Sequence, residues 1–484
     1  MKVLAFDFGA SSGRAIIGTY EGGKLTLEEI HRFDNDPVKM NGGFYWDLPR
    51  LFHEIKQALI KAKAYDYDFI GIDTWGVDYA LLSKDGLLLG NPYNYRDERT
   101  IPVFENLKKE IPESELYAMT GIQNMNINTL YQILETKQNH PELYDLADKM
   151  ILVPDLFSYL LTGKVFAERS MASTTQLLDP ITKDWNYALI EKLGLKASLF
   201  PELVDSGEKI AQLKPELCEE LGIEPKWVIA VAGHDTASAV AAVPAKSEDF
   251  VYISCGTWSL FGTELREPCI TEMSAALNIT NEGGHDRTTR FLKNIIGLWM
   301  IQETRRQFKR NGKNYSYAEM ETMAREATPF KCFINPDEPR FTPPGDQIER
   351  IKAFCRETNQ PVLETDGEIV RCIYESLAMK YKYTFDKLKK CTGKDFSAIH
   401  MVGGGTKDGF LCQMTADATG TPVIAGPIEA TAAGNVAVQL IAAGEIKNLW
   451  AAREIIADSF SVVDYKPENT EAFAAAYDRF CSIL

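Results

Sequence analysis

The chain has 484 residues, 45% of them hydrophobic and 25% charged, which is too long for one ordinary core and too apolar for extended disorder. A net charge of −16 and a pI near 5.0 exclude a global positive field that would draw nucleic acid or an anionic membrane surface. Two large domains or three are expected, with a cleft, and any phosphate must be held by a local site.

The opening Met1-Lys-Val-Leu-Ala-Phe-Asp7 meets an acid after too few apolar residues for a signal peptide, and no apolar run approaches a membrane span. Cytoplasmic residence is expected. From Val3 to Phe33 the pattern reads strand, Gly/Ser turn, strand, Gly22-Gly23 turn, strand, an antiparallel meander. Asp47 and Pro49 open a helix with Leu51, Phe52, Ile55, Ala58, Leu59 and Ala62 at helical spacing, and Phe69 to Asp73 returns as a buried strand.

In Phe6-Asp-Phe-Gly-Ala-Ser-Ser-Gly-Arg14, a small polar turn between two strands can offer successive backbone N–H groups and hydroxyls to a phosphate, with Arg14 adding a guanidinium. The same residues also suit an ordinary hairpin. Ile72 to Asp78 and Tyr95-Arg-Asp-Glu-Arg99 mix aromatic, acidic and basic groups as polyol sites do, yet an ion-pair cluster and a core Trp75 fit equally.

The run Val228-Ile-Ala-Val-Ala-Gly-His-Asp-Thr-Ala-Ser-Ala-Val240 predicts a buried strand followed by a tightly packed helix, with Asp235 at the junction. A carboxylate there is favoured by the helix dipole and lies where α/β sheets present ligands, so Asp235 is a candidate base; Asp is also a common helix cap. After Pro244 the chain restarts. Cys255-Gly-Thr-Trp-Ser259 is a second strand-flanked Gly/Thr turn, and two such hairpins facing one another would clamp a phosphate.

Asp366 to Lys390 predicts a long amphipathic helix stopped by Gly393. The strand Ile399–Val402, the triplet Gly403-Gly-Gly405, a helix from Gly409 to Thr419, a strand Pro422–Ala425 and a helix Glu429–Ala443 follow, with a last helix from about Glu471. The triplet permits close approach to a flat base or serves as a flexible connection. Neither a P-loop nor a Rossmann fingerprint occurs. Nine cysteines without a Cys-x-x-Cys pair read as thiols, and spacing leaves open whether Cys355 and Cys372 meet. Six scattered histidines give zinc no support, whereas magnesium asks only for carboxylates and phosphate oxygens.

The ordered set Asp7-x-Gly9, Gly76, Tyr95-Arg-Asp97, Asp235, Gly256-Thr257 and Gly403 to Gly405 resembles the FGGY carbohydrate kinases of the actin-like ATPase superfamily. Gly9-Ala-Ser-Ser-Gly-Arg14, Asp73-Thr-Trp-Gly-Val-Asp78, Gly233-His-Asp-Thr-Ala-Ser238, Asn278-Ile-Thr-Asn-Glu-Gly-Gly284 and Lys293-Asn-Ile-Ile-Gly-Leu-Trp299 are most similar to the L-rhamnulose kinase branch. One departure is Ser158, where relatives often carry Lys and this branch tends to lack it.

The resemblance implies an α/β protein of two RNase H-like (actin-like ATPase) domains with an interdomain cleft: residues 1–243 for sugar, base and first hairpin, 244–455 for nucleotide, and 456–484 packing back on a domain. It implies transfer of the ATP γ-phosphoryl group to the 1-hydroxyl of L-rhamnulose, in L-rhamnose degradation, by a monomer or weak homo-oligomer. Asp235 would be the base. Gly76, His234, Asp235 and Thr236 would touch the sugar; Ala10, Ser11, Ser12, Gly13, Arg14, Thr257, Asn294, Gln302 and Gly404 would line the ATP site; Asp7 would hold Mg²⁺ through water. Kinases for L-fuculose or L-xylulose, and an actin-like nucleotide switch without a sugar substrate, are the alternatives.

Overall fold

Val3, Leu4, Ala5, Phe6 and Phe8 are wholly buried because their strand is covered on both faces, and the first sheet is built around it in the computed structural model, which describes residues 1–484. Strands β1 (Lys2–Phe8), β2 (Ser12–Glu21) and β3 (Lys24–Asp34) form the expected meander. Helix α1 (Leu48–Ala62) begins where Asp47 accepts the Arg50 amide at 3.3 Å, and its stripe Leu51, Ile55, Ala58, Leu59 and Ala62 is buried. Strand β4 (Phe69–Thr74) then lies parallel to β1, and β5 (Glu208–Gln212) and β6 (Trp227–Ala230) complete the order β5-β6-β4-β1-β2-β3. This sheet, with three antiparallel strands leading into parallel ones, is the expected RNase H-like arrangement.

The unit containing this sheet comprises residues 1–246, 264–291 and 430–460, and the second comprises 247–263, 292–429 and 461–484. Contiguous divisions at 243/244 and 455/456, as sequence suggests, do not follow these packing units. The reason lies in helix Ala430–Ala443, where Asn435 donates to Asp73 at 2.6 Å and Gln439 to the Leu4 carbonyl at 3.1 Å. Gly434 faces helix α2 (Asp235–Ala241) so closely that a Cβ would overlap the Ser238 carbonyl oxygen, so only glycine permits this approach.

In the second unit β7 (Val251–Cys255) and β8 (Trp258–Leu265) form the second hairpin, next to β9 (Thr289–Ile296). Helix α3 (Trp299–Arg310) follows β9, and the long helix α4 (Asp366–Thr392) starts with a Thr365/Glu368 capping box and ends at left-handed Gly393. Strand β10 (Ile399–Val402), helix α5 (Gly409–Thr419) and strand β11 (Val423–Ala425) match the predicted alternation within a residue or two. From β9 the order runs β9-β8-β7-β10-β11 and ends with β12 (Val463–Tyr465). The last helix, α6 (Thr470–Cys481), packs back on this unit through Phe473 against Phe330 and Phe480 against Phe333.

Candidate active site

Parallel pairing of β1 with β4 sets Asp7 opposite Asp73, and antiparallel pairing of β1 with β2 sets Asp7 opposite Arg14. Arg14 Nη2 donates to Asp7 Oδ2 across that register. The turn is held from below: the Gly9 amide donates to the Ser12 carbonyl at 2.9 Å, and Asn35 bonds the Gly9 carbonyl through its side chain and the Ser11 carbonyl through its amide. Ala10, Ser11, Ser12 and Gly13 therefore occupy a fixed hairpin tip.

Asp73 is wholly buried; its Oδ2 accepts from Asn435, while Oδ1 has no partner. Burial first, and then the charges of Asp7 and Asp235, push its carboxyl well above the usual carboxylate range against the Asn435 hydrogen bond. No group of three or more His, Cys, Asp or Glu is arranged to hold an ion by itself. A pair of carboxylates, one with an unpartnered oxygen, suits Mg²⁺, which keeps several waters and takes phosphate oxygens.

Strand β6 ends before Gly233, whose carbonyl accepts the Thr74 amide at 2.9 Å, so the base segment is tied to the end of β4. The Gly233 amide in turn donates to Glu168 Oε2 at 3.0 Å. His234 is the residue that caps α2 and its side chain makes no capping bond; Asp235 is the first helical residue, so the alternative of Asp235 as the cap does not hold. The Asp235 side chain keeps 29% of its surface exposed, and its Oδ1 accepts from the Thr236 hydroxyl at 3.1 Å. Burial lifts its carboxyl above the ordinary value, opposed by His234 and aided by the charge of Asp7, which moves it toward the range where a base works near neutrality.

His234 Nε2 stands 3.5 Å from Asp235 Oδ1. A Cβ on Gly76 would come 3.3 Å from the same nitrogen and 3.2 Å from Thr174 Cγ2. Gly76, His234, Asp235 and Thr236 are thus brought together, with Val77 held in left-handed backbone by its amide bond to Thr174 Oγ1 at 3.0 Å. Trp75 belongs to the core: its ring packs on Trp46 at 3.9 Å and its Nε1 donates to Asp78 at 3.0 Å. Arg99 pairs with buried Glu135, while Arg96, over the Tyr95 ring, and Glu98 are the exposed members of that cluster.

Sequence reasoning did not single out Arg290 or Glu168, which the structure places against His234 and Gly233, and it held Glu282 only within the Asn278–Gly284 motif. Arg290 is fully buried and donates through Nη2 to His234 Nδ1 at 3.0 Å and to Glu282 Oε2 at 3.1 Å, and through Nε to the Gly283 carbonyl at 2.7 Å. Burial alone would raise the Glu282 carboxyl, but the adjacent His234 ring and the charge of Arg290 hold it below its ordinary value. The Asn278–Gly284 motif that contains Glu282 is the signal that sequence offered.

In the second unit, Thr257 sits at the β7–β8 tip, where its carbonyl accepts the amides of Gly297 and Trp299 at 3.1 and 3.2 Å. Asn294 lies on β9, and Gln302 on α3 in the first turns after that junction. Gly403 and Gly405 pack on Cys255 so tightly that a Cβ on Gly405 would overlap its Sγ, while Gly404 between them has open space. Burial pushes the Cys255 thiol up to about 12, and Ser259 beside it bonds Tyr381 of α4 at 2.6 Å. The structure therefore joins Thr257 and the glycine triplet in one layer.

Residues 2–242 match the N-terminal domain and residues 251–443 the C-terminal domain of the FGGY family of carbohydrate kinases. The chain is 44% identical over 479 residues to a rhamnulokinase of Bacteroides thetaiotaomicron, covering 99% of this chain and 98% of that one. It is 40% identical over 473 residues to a rhamnulokinase of Bacillus subtilis, covering 97% and 96%. Among solved structures, a ligand-bound xylulose kinase from Lactobacillus acidophilus superposes with a TM-score of 0.83 at 18% identity, over 100% of this chain and 97% of that one. A Plasmodium falciparum glycerol kinase with ADP gives 0.80 at 15% identity, over 99% and 97%. These structures share the two-domain α/β actin-like ATPase fold. With both family domains matched in order along nearly the whole sequence, the chain belongs to the FGGY family of carbohydrate kinases.

Proposed function

We propose that the protein transfers the γ-phosphoryl group of ATP to the 1-hydroxyl of L-rhamnulose, giving L-rhamnulose 1-phosphate, ADP and a proton. The observation that carries this reading is identity of 40–44% with rhamnulokinases over nearly the full length. Asp235 accepts the hydroxyl proton as the oxygen attacks. Its raised carboxyl, partial exposure and fixed place at the start of α2 support that role.

Gly76, His234 and Thr236 hold the sugar beside Asp235. On the nucleotide side, Ala10, Ser11, Ser12, Gly13 and Arg14 bind ATP, as do Thr257, Asn294, Gln302 and Gly404. Phosphoryl transfer asks mainly for positioning and neutralisation of charge, and backbone amides at glycine-rich hairpin tips with Arg14 are suited to both. Asp7 with Asp73 would hold Mg²⁺ through water, and the ion would screen the phosphate oxygens when bound. ATP consumption and nine free cysteines support residence in the cytoplasm.

A panel of ketoses read by ADP release tests the substrate. L-rhamnulose is expected to give the highest kcat/KM; a tenfold preference for L-fuculose or L-xylulose overturns the assignment, and ATP hydrolysis indifferent to every sugar overturns the kinase reading.

A further inference from the structure

An arginine with no exposed surface, set against one nitrogen of a histidine whose other nitrogen faces the candidate base, constrains where the imidazole proton resides. Arg290 Nη2 lies 3.0 Å from His234 Nδ1, and the Arg290 Nε bond to the Gly283 carbonyl at 2.7 Å fixes the guanidinium plane. A guanidinium has only N–H donors and stays protonated in proteins, so a hydrogen bond with Nδ1 requires Nδ1 to accept. The imidazole proton then sits on Nε2, the atom 3.5 Å from Asp235 Oδ1 and beside Gly76. Glu282 Oε2 also lies 3.3 Å from Nδ1 and accepts from Arg290 Nη2 at 3.1 Å, and it is the acceptor that the opposite tautomer, with its proton on Nδ1, would use.

We propose that Arg290 is a positioning residue that locks His234 in its Nε2–H tautomer, so that the ring presents a hydrogen-bond donor to an oxygen of the bound sugar. The claim about the sugar rests on the site reading given above; the claim about the tautomer does not. A donor fixed before binding selects a substrate oxygen that can accept, and it keeps the ring from competing with Asp235 for the hydroxyl proton.

The test is long-range ¹H–¹⁵N NMR of histidine-labelled wild-type protein above neutral pH without ligand, with His234 assigned from its absence in His234→Gln. The expected result is an unprotonated Nδ1 and a protonated Nε2. A proton on Nδ1, aimed at Glu282, or a mixture of tautomers overturns the lock. Kinetics supply the second arm: Arg290→Met should raise the sugar KM roughly tenfold, as loss of a charge-supported hydrogen bond does, with the ATP KM within about twofold. Arg290→Lys should recover part of that loss. Equal effects on both KM values, or none, overturn the positioning role, whereas wild-type protein inert toward every sugar but showing the Nε2–H tautomer refutes only the substrate reading.

Discussion

Asp7 and Asp73 are register partners on adjacent parallel strands, two carboxylates side by side with only Arg14 and Asn435 bonded to them in this unit. Two neighbouring carboxylates oppose each other's ionisation, as the raised Asp73 carboxyl shows, and a shared cation would relieve that repulsion. Asp73→Asn keeps shape and burial, so melting temperature in EDTA should not fall, while the Mg²⁺ concentration for half-maximal ATP turnover should rise about tenfold. An unchanged Mg²⁺ dependence would remove Asp73 from the ion's surroundings.

Asp78 is buried beneath Trp46 and Trp75, and its carboxyl is pushed up to about 6, chiefly by burial, against hydrogen bonds from Trp46, Gln132, Trp75 and the Tyr95 amide. The folded value lies above the ordinary 3.8, so between these two pH values the folded chain keeps a proton that the unfolded chain has released. Its contribution is full below the unfolded value and declines as pH rises through about 6, by about 3 kcal/mol over that window. Urea midpoints followed by tryptophan fluorescence should show wild type losing this much relative to Asp78→Asn as pH is raised. Parallel curves for the two proteins would contradict the shift.

Gly434→Ala forces a methyl group into the Ser238 carbonyl of α2. Overpacking between backbones of this kind costs about 1–3 kcal/mol, and here it also displaces the helix whose first residue is Asp235. The urea midpoint and kcat should both drop. Wild-type stability would mean that the two helices separate without cost.

Gly405→Ala places a methyl group on Cys255 Sγ and moves the glycine triplet from the β7–β8 hairpin. The expected outcome is an ATP KM raised roughly tenfold with sugar KM little changed. A selective loss of sugar affinity would show that Gly404 and Thr257 do not serve the nucleotide.

Local rules made much of this molecule legible before its structure. The hairpin tips follow from small residues between apolar runs, α4 from its Thr365 cap and Gly393 stop, and α1 from Asp47 and Pro49. Asp235 stood out as a carboxylate at a strand-to-helix junction, where both a helix cap and a base were expected. What escaped depends on distant packing. Asp73 meets Asn435 across 362 positions, which is also why helix Ala430–Ala443 belongs with the first sheet rather than with the residues that precede it. The place of Arg290 is set by His234 and Glu282, 56 and 8 positions away, and not by its neighbours in Thr289-Arg-Phe-Leu292.

Turnover of Asp235→Asn with L-rhamnulose and ATP, measured beside ATP affinity by equilibrium binding, tests the catalytic assignment most directly. The expected result is a fall in kcat of about 10²–10⁴ with ATP affinity within a few-fold of wild type, as removal of a general base produces. Near-normal turnover by the variant would contradict it and leave Asp235 a structural residue at the start of its helix.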